Sequence, residues 1–257
     1  MLSWSSEQYL KFEDERTRPA RDLLNAVPAA DVRLAADLGC GPGNSTALIA
    51  ARYPDAAIAG IDNSAAMIAA ARTRLPKVRF ELIGIEDWPE PGPWDLLFTN
   101  AALQWVPNHE HLLPRLAGRL ALGGSLAIQM PDNLDEPSQT AMQQAAQKVR
   151  FAEKLCGAGQ ARVTLLDSRG YYALLKPFCR RVDVWKTTYY HPLAGGVAAI
   201  VDWFKGTGLI PFLKPLLPDE QAIYLQTYRE ELDRHYKPLT DGTVILPFPR
   251  LFIVATR

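Results

Sequence analysis

From Arg33 to Met130, short apolar runs alternate with longer stretches in which apolar residues recur every three or four positions, the pattern of βα units around a parallel sheet. The runs Leu34–Leu38, Ala57–Asp62, Val78–Ile83, Asp95–Asn100 and Gly124–Met130 predict strands. Ser45–Arg52, Ser64–Leu75 and Leu112–Ala121 predict helices, with Pro54, Pro76 and Gly123 just past their ends as stop signals. The third crossover, through Trp88 to Pro93, is rich in proline and predicts loop. Beyond Met130 the pattern changes: PDNLDEPSQT leads into a helical stretch, and Arg181–Tyr190 alternates with period two, as a strand near a sheet edge does. Val197–Lys205 and Asp219–Tyr236 read as amphipathic helices, and Leu251–Ala255, apolar on both faces, predicts a closing strand that returns to the main sheet. The expected fold class is α/β, a mostly parallel central sheet with helices on both faces and a C-terminal helical insertion placed as a lid. No repeat or linker interrupts the chain, so 1–257 reads as one domain: N-terminal helices over 1–32, a core over 33–130, and an elaboration over 131–257.

Composition narrows the partners. The 257 residues are 48% apolar and 22% charged, enough to bury a large core. Lys plus Arg total 28 and Asp plus Glu total 28, which leaves no net positive charge to draw the protein to nucleic acid or anionic lipid. Cys40, Cys156 and Cys179 are odd in number and widely spaced, unlike a zinc site or a disulfide framework. No apolar run approaches the roughly 20 residues of a membrane span, and MLSWSSEQYLKFEDER is amphipathic and acidic rather than a signal peptide. A cytoplasmic protein is expected, with a small-molecule partner, no nucleic acid and no membrane; oligomeric state leaves no mark in the sequence.

The sharpest motif is Asp37-Leu38-Gly39-Cys40-Gly41-Pro42-Gly43-Asn44-Ser45-Thr46, at the carboxyl end of the first strand and the start of the first helix of the core. Glycines there let the backbone turn sharply and approach a ligand, while the helix start offers unpaired N–H groups and a positive dipole end. The dinucleotide fingerprint Gly-x-Gly-x-x-Gly would need glycine where Asn44 stands, which counts against a nicotinamide cofactor. The second strand ends in Asp62, where a carboxylate can accept from both hydroxyls of a ribose. Two readings are open: a nucleoside site, or a tight βα turn followed by Asp62-Asn63-Ser64 as an ordinary helix start.

Asp37-x-Gly39-x-Gly41-x-Gly43 followed by Asp62 resembles the cofactor signature of class I S-adenosylmethionine-dependent methyltransferases, a Rossmann-like family whose strand and helix order the chain also resembles. The resemblance implies S-adenosyl-L-methionine as cofactor and S-adenosyl-L-homocysteine as product. It implies that Gly39, Gly41 and Gly43 pack against the methionyl part, that Asp37 orients the loop, that Asp62 with Asn63 meets the ribose, and that Met67 packs beside it. The acidic residue that often meets adenine after the third strand is replaced by Gly84, which leaves Ile85 and Glu86 as the adenine-side candidates. The N-terminal segment is expected to fold over the cofactor, with Tyr9 and Arg18 as polar contacts and Trp4 and Phe12 as packing anchors, or else simply to attach a helix to the domain. Asn100, Gln104 and Trp105 follow the fourth strand, where open α/β sheets place ligands; Asn100 suits the cofactor end, and Gln104 and Trp105 suit positioning.

Further motifs, among them TRPA at 17–20, NAALQW at 100–105, QMPDN at 129–133, TTYYH at 187–191 and FPRLFIVA at 248–255, resemble a branch of this family that methylates a carboxylate of trans-aconitate, a planar unsaturated tricarboxylate. The resemblance makes Arg16, Gln104, Tyr189, Tyr190, His191 and Arg250 the candidate substrate residues. Alternation along the strand forbids all of 186–191 from facing one pocket, and Arg250 has the alternative of pairing with a nearby carboxylate. The chain has Asn100-Ala101-Ala102-Leu103 rather than the Asn-Pro-Pro-aromatic turn of many base methyltransferases. His109-x-His111 is too isolated for a metal site and reads as two solvent-facing histidines at a helix start, so no metal is expected. A carboxylate acceptor is already ionised at neutral pH, so no general base and no catalytic residue beyond positioning groups is required. Cys40 is expected to be a bystander. The alternatives are a methyltransferase for another small acid or a neutral metabolite, and a nucleoside-binding module without catalysis.

Overall fold

The computed structural model describes residues 13–89 and 92–257, which separate into two compact units. The first, the sheet unit, comprises Glu13–Pro131, Val163–Thr187 and Arg250–Arg257. It carries a seven-stranded sheet in the order β3-β2-β1-β4-β5-β7-β6. The strands are β1 (Leu34–Leu38), β2 (Ala57–Asp62), β3 (Arg79–Leu82), β4 (Trp94–Asn100), β5 (Leu120–Pro131), β6 (Arg181–Leu193) and β7 (Val244–Thr256). β1 to β5 pair in parallel, and β7 runs antiparallel beside β5. The helices around it are α1 (Glu13–Ala26), α2 (Asn44–Arg52), α3 (Ala65–Arg74), α4 (His109–Gly118) and α6 (Ser168–Leu175), with α5 (Pro137–Lys148) outside this unit. Strand order reverses between β1 and β4, and the carboxyl ends of these two strands form the crevice in which doubly wound sheets bind ligands.

Both central strands are buried along most of their length because helices cover a parallel sheet, which is why LAADL and DLLFTN read as near-continuous apolar runs. Asp37 is the exception. Its carboxylate is fully buried, and Oδ2 accepts from Ser45 Oγ at 2.7 Å and Thr46 Oγ1 at 2.6 Å, fastening the end of β1 to the first turn of α2. α1 is tied down by Arg52, whose guanidinium donates to the carbonyls of Leu24 and Val27.

Several boundaries differ from the sequence reading. The third core helix spans His109–Gly118 rather than 112–121, and β5 begins at Leu120, which pairs with Trp94. Gly123, expected as a helix stop, lies inside the strand at φ +82°, where the register slips between Trp94 and Leu96, and a Cβ on the adjacent Gly124 would stand 2.5 Å from the Trp94 carbonyl oxygen. The glycine pair thus serves a bulge set by a distant strand. β7 also begins seven positions before the expected Leu251, at Val244, because Pro247 and Pro249, which argue against a strand locally, are accommodated within it.

The second unit, among the described residues, comprises Asp132–Arg162 and Thr188–Pro249. The sequence assigned 163–187 to the same elaboration, whereas that segment clusters with the sheet. The unit is built on α5, α7 (Val197–Lys205), the short α8 (Ile210–Leu213) and α9 (Pro218–His235), around a core that includes Met142, Ile200, Trp203, Phe204, Phe212 and Tyr224. Three tyrosines hold α5: Tyr236 Oη accepts from Ser138 N at 3.1 Å, Tyr228 Oη donates to the Ser138 carbonyl at 2.9 Å, and Tyr224 Oη donates to the Met142 carbonyl at 3.1 Å. Glu231, buried on α9, accepts from Lys148 at 2.6 Å and Arg234 at 2.9 Å. No helix among the described residues is long and apolar enough to cross a membrane.

Two predictions concern stability. Tyr228→Phe removes a fully buried donor from the Ser138 carbonyl and is expected to cost about 1–2 kcal/mol in denaturant titration, without change of fold by circular dichroism. Burial raises the Asp37 carboxyl to about 6 from an ordinary 3.8, against the hydroxyl bonds from Thr46 and Ser45 that lower it, with the Asp62 charge adding to the rise. The folded state therefore holds this proton where the unfolded chain has lost it, so stability falls as pH rises from about 4 to 6. Across that window Asp37→Asn should gain on the wild type by up to about 3 kcal/mol; denaturation midpoints whose difference does not vary with pH would contradict this.

Candidate functional site

The glycine loop is held against the end of β2. Gly39 N and Cys40 N both donate to the Ile61 carbonyl at 2.9 Å, and Gly41 N donates to Asp62 Oδ2 at 3.0 Å. Gly39, Gly41 and Gly43 lie at φ +75°, +54° and +89°, the left-handed region that favours glycine. Each answers a different demand. A Cβ on Gly39 would fall 2.3 Å from Ala102 Cβ, and one on Gly43 would touch Ala71, but one on Gly41 would meet nothing within 4 Å among the described residues. The Gly41 face is therefore open, bordered by the Asp62 carboxylate that its own amide contacts.

Asp62 does not cap α3; Ser64 does, its Oγ accepting from Met67 N at 3.4 Å. Each Asp62 oxygen accepts one backbone N–H, from Gly41 and from Ser64, which leaves lone pairs on both for further donors. Burial raises its carboxyl above the ordinary value, opposed by those two N–H bonds. Asn63 beside it is exposed, and Met67 is buried in the first turn of α3. Ile85 is buried and reaches the Gly39 position, its Cδ1 3.6 Å from a Cβ placed there. Glu86 is exposed, and the carbonyls of Ile85 and Glu86 accept from Arg115 at 3.0 and 2.6 Å, which fixes the turn after β3. An open glycine face beside a carboxylate with lone pairs to spare could hold a nucleoside with a short polar tail.

At the end of β4, Asn100 Oδ1 is buried and has no hydrogen-bond partner among the described residues. Ala101 then takes φ +55°, a conformation that disfavours alanine by roughly 1 kcal/mol, and its neighbours hold it there. Ala101 N donates to the Gln129 carbonyl at 2.9 Å, and its own carbonyl accepts from Gln104 Nε2 at 2.7 Å. The Gln104 carbonyl in turn accepts from Val163 N at 2.9 Å, and Gln104 Oε1 is buried without a partner. Gln104 thus shapes the turn, and Trp105 next to it is half-buried.

The expectation of two solvent-facing histidines needs correcting. His111 is exposed, but His109 is buried, with Nε2 2.9 Å from the Leu103 carbonyl and Nδ1 2.8 Å from Tyr171 Oη. A carbonyl only accepts, so the neutral ring carries its proton on Nε2 and accepts the tyrosine proton on Nδ1. The partner on α6, sixty-two residues away, has no signature in the local pattern.

Of the candidate acceptor residues in the sheet unit, Arg250 is buried on β7 and its Nη1 donates to Gln129 Oε1 at 3.2 Å. Gln129 itself was not singled out by the sequence. In the second unit, Tyr189 and His191 are buried on one face of β6 with their rings parallel, centroids 6.3 Å apart, and His191 lies against Trp203. Tyr190 turns to the other face and is 66% exposed. Arg162, also missed, is half-buried in the second unit and donates to Asn133 Oδ1 at 2.8 Å; desolvation lowers its guanidinium to about 10, offset by the nearby Asp132. Arg18 is largely exposed on α1 and faces Asp22, one turn on, at 3.9 Å. Tyr9, Trp4 and Phe12 lie outside the described residues, as does the side chain of Arg16. Cys40 is buried against Ile68, Ala71 and Phe80, and burial pushes its thiol pKa well up, with Asp37 and Asp62 adding to the rise.

Residues 35–124 match the methyltransferase domain family. The fold is similar to that of the YcgJ protein from Bacillus subtilis, with a TM-score of 0.61 at 13% identity over 93% of this chain and 98% of that one. It is also similar to a Haemonchus contortus phosphoethanolamine N-methyltransferase 2 in complex with S-adenosyl-L-methionine, with a TM-score of 0.54 at 15% identity over 93% of this chain and 52% of that one. Among sequences, the chain is 52% identical to the trans-aconitate 2-methyltransferase of Variovorax paradoxus, over all of this chain and 99% of that one. It is 54% identical to the enzyme of the same name from Methylobacterium nodulans, again over all of this chain and 99% of the relative. With half of its residues shared from end to end, and with the glycine loop and Asp62 inside the matched methyltransferase domain, the chain belongs to the trans-aconitate 2-methyltransferase family.

Proposed function

We propose that this chain is an S-adenosylmethionine-dependent carboxyl O-methyltransferase that forms the monomethyl ester of trans-aconitate. The observation that carries the cofactor half is the pairing of the Gly41 amide with Asp62 beside an open glycine face. End-to-end identity with relatives of that activity carries the acceptor half. When bound, S-adenosylmethionine supplies a methyl group on a sulfonium, which a carboxylate oxygen takes up while sulfur keeps the electron pair of the broken bond. Asp62, with Asn63, would hold the ribose, the Gly39–Gly43 loop the methionyl group, Met67 and Ile85 the flanks of the nucleoside, and Asn100 a donor at the methionyl end, where its buried Oδ1 needs one. Glu86, Arg18 and Tyr9 complete the cofactor-side reading. Asp37 acts through the loop it anchors.

The acceptor carboxylate, with an ordinary pKa near 4, is ionised at neutral pH, so no residue has to take a proton. What the chain supplies is alignment, which in favourable cases lowers a barrier by roughly 7–11 kcal/mol. Gln104 and Trp105 would position the reacting end. Negative charge on the attacking oxygen diminishes during transfer, so a cation clamped there would oppose reaction; Arg250 and Arg16 therefore belong on the carboxylates that do not react. Tyr189, Tyr190 and His191 are the acceptor candidates of the second unit, Tyr189 and His191 sharing a face and Tyr190 opposed to it. A reducing, cytoplasmic setting is part of the same reading, in keeping with free thiols at Cys40, Cys156 and Cys179.

Incubation with methyl-labelled cofactor and a panel of trans-aconitate, a dicarboxylate, a fatty acid and a neutral alcohol tests the assignment. Label should pass to trans-aconitate as a base-labile ester; cofactor binding without transfer to any of them would indicate a nucleoside-binding module instead. Asp62→Ala should weaken cofactor binding by about 10- to 100-fold, the worth of hydrogen bonds to a charged group. Gly41→Ala should also weaken it, since the added methyl enters the open face, at a stability cost near 1 kcal/mol. Gly39→Ala should cost more stability because of the clash with Ala102. Equal calorimetric affinities for wild type and Gly41→Ala would remove the cofactor from that face.

A further inference from the structure

Three polar side chains lie on one face of neighbouring strands at the carboxyl ends of β4 and β5. Asn100 and Gln129 are opposite each other in the parallel pairing. Arg250 is opposite Pro131, two residues beyond Gln129, and so stands on the same face and diagonal to it. Asn100 is on the strand nearer β1 and the glycine loop, and Arg250 on the strand farther away. The row therefore runs outward from the cofactor end of the site.

The chemistry of the middle residue is constrained. A guanidinium only donates, so the amide oxygen of Gln129 must face Arg250, as it does at 3.2 Å. The amide nitrogen then necessarily points away from Arg250. Gln129 has no exposed surface, and among the described residues its Nε2 has no hydrogen-bond partner. A buried donor left unsatisfied costs about 1–3 kcal/mol, and Ala127 on the same face and Phe252 opposite in the pairing, both fully buried, show that this layer takes apolar residues. Retaining a glutamine whose donors have no protein acceptor is what a ligand-binding position requires, and the ligand group must be an acceptor that tolerates an adjacent guanidinium. A carboxylate has both properties.

We propose that Gln129 is a specificity-determining residue of this enzyme: its Nε2, oriented by Arg250, binds a carboxylate of the acceptor that is not the one methylated. The inference rests on the carboxyl-methyltransferase reading given above and goes beyond it by naming the residue that separates polycarboxylates from simple acids. Binding the non-reacting carboxylate leaves the attacking oxygen free of cationic restraint.

Gln129→Glu keeps an oxygen acceptor for Arg250 while replacing the donor by a second anionic oxygen. Gln129→Met keeps the length and removes both groups. Each is compared with the wild-type enzyme for steady-state kinetics with trans-aconitate, for calorimetric binding of trans-aconitate in the presence of S-adenosylhomocysteine, for affinity for S-adenosylhomocysteine alone, and for thermal midpoint. The expected result is a rise of tenfold or more in KM and Kd for trans-aconitate, larger in Gln129→Glu, with cofactor affinity within twofold of wild type. Unchanged KM and Kd in Gln129→Met, or a lowered midpoint as the sole change in both variants, would overturn the proposal and leave Gln129 a structural partner of Arg250. A wild-type enzyme that neither binds nor methylates trans-aconitate would overturn the underlying reading and this inference together, an outcome distinct from wild-type turnover with insensitive variants.

Discussion

The close approach of the loops after β1 and β4 is the constraint from which the candidate site follows. Strand order reverses between these two strands, so both chains leave the sheet at the same end and compete for the same space. At the point of contact there is room for Ala102 only because position 39 carries no side chain. Two amides of the first loop converge on one carbonyl, that of Ile61, and a third reaches the Asp62 carboxylate, so the ends of β1, β2 and β4 are fixed relative to one another before any ligand arrives. The buried Asp37 secures the outgoing helix through two hydroxyls, at the expense of an ionised group held out of water.

Around this junction the sheet unit tolerates polar groups that a purely structural core would satisfy or omit. Asn100 Oδ1, Gln104 Oε1 and Gln129 Nε2 are all buried without hydrogen-bond partners among the described residues, and all three follow or end the strands that lead to the crevice. Ala101 between them is held in a left-handed conformation by the Gln104 side chain and by the amide contact with Gln129. Unsatisfied groups and backbone strain concentrated in one place are the usual cost of a preformed binding surface. In the second unit the hydroxyls of Tyr224, Tyr228 and Tyr236 are each engaged with the backbone of α5, and Glu231 is bonded by two cations.

Two groups near the crevice that could serve as base or nucleophile, His109 and Cys40, are committed elsewhere. His109 is fixed between the Leu103 carbonyl and Tyr171, where it braces the turn that carries Gln104 and Trp105. Cys40 is enclosed among apolar side chains and two carboxylates that hold its thiol protonated. Such an arrangement suits an acceptor that arrives already ionised and needs alignment rather than activation.

The parallel core and the cofactor signature were legible in the sequence because both are local. Leu34–Leu38, Ala57–Asp62 and Val197–Lys205 occur with the bounds their patterns predict, since a run buried on both faces or along one stripe announces itself within a few residues. The glycines at 39, 41 and 43 announce a tight turn, and Asp62 follows at the end of the next strand. What the pattern could not carry was pairing between distant segments. Gly123 reads as a helix stop until β5 is set against Trp94; His109 reads as a surface residue until Tyr171 meets it; and Gln129 stands in the QMPDN motif with no assigned role until Arg250, 121 positions later, turns its amide. Local periodicity records which face of a strand or helix is buried, but the direction of a hydrogen bond between two strands depends on register, and register exists only once the sheet has closed.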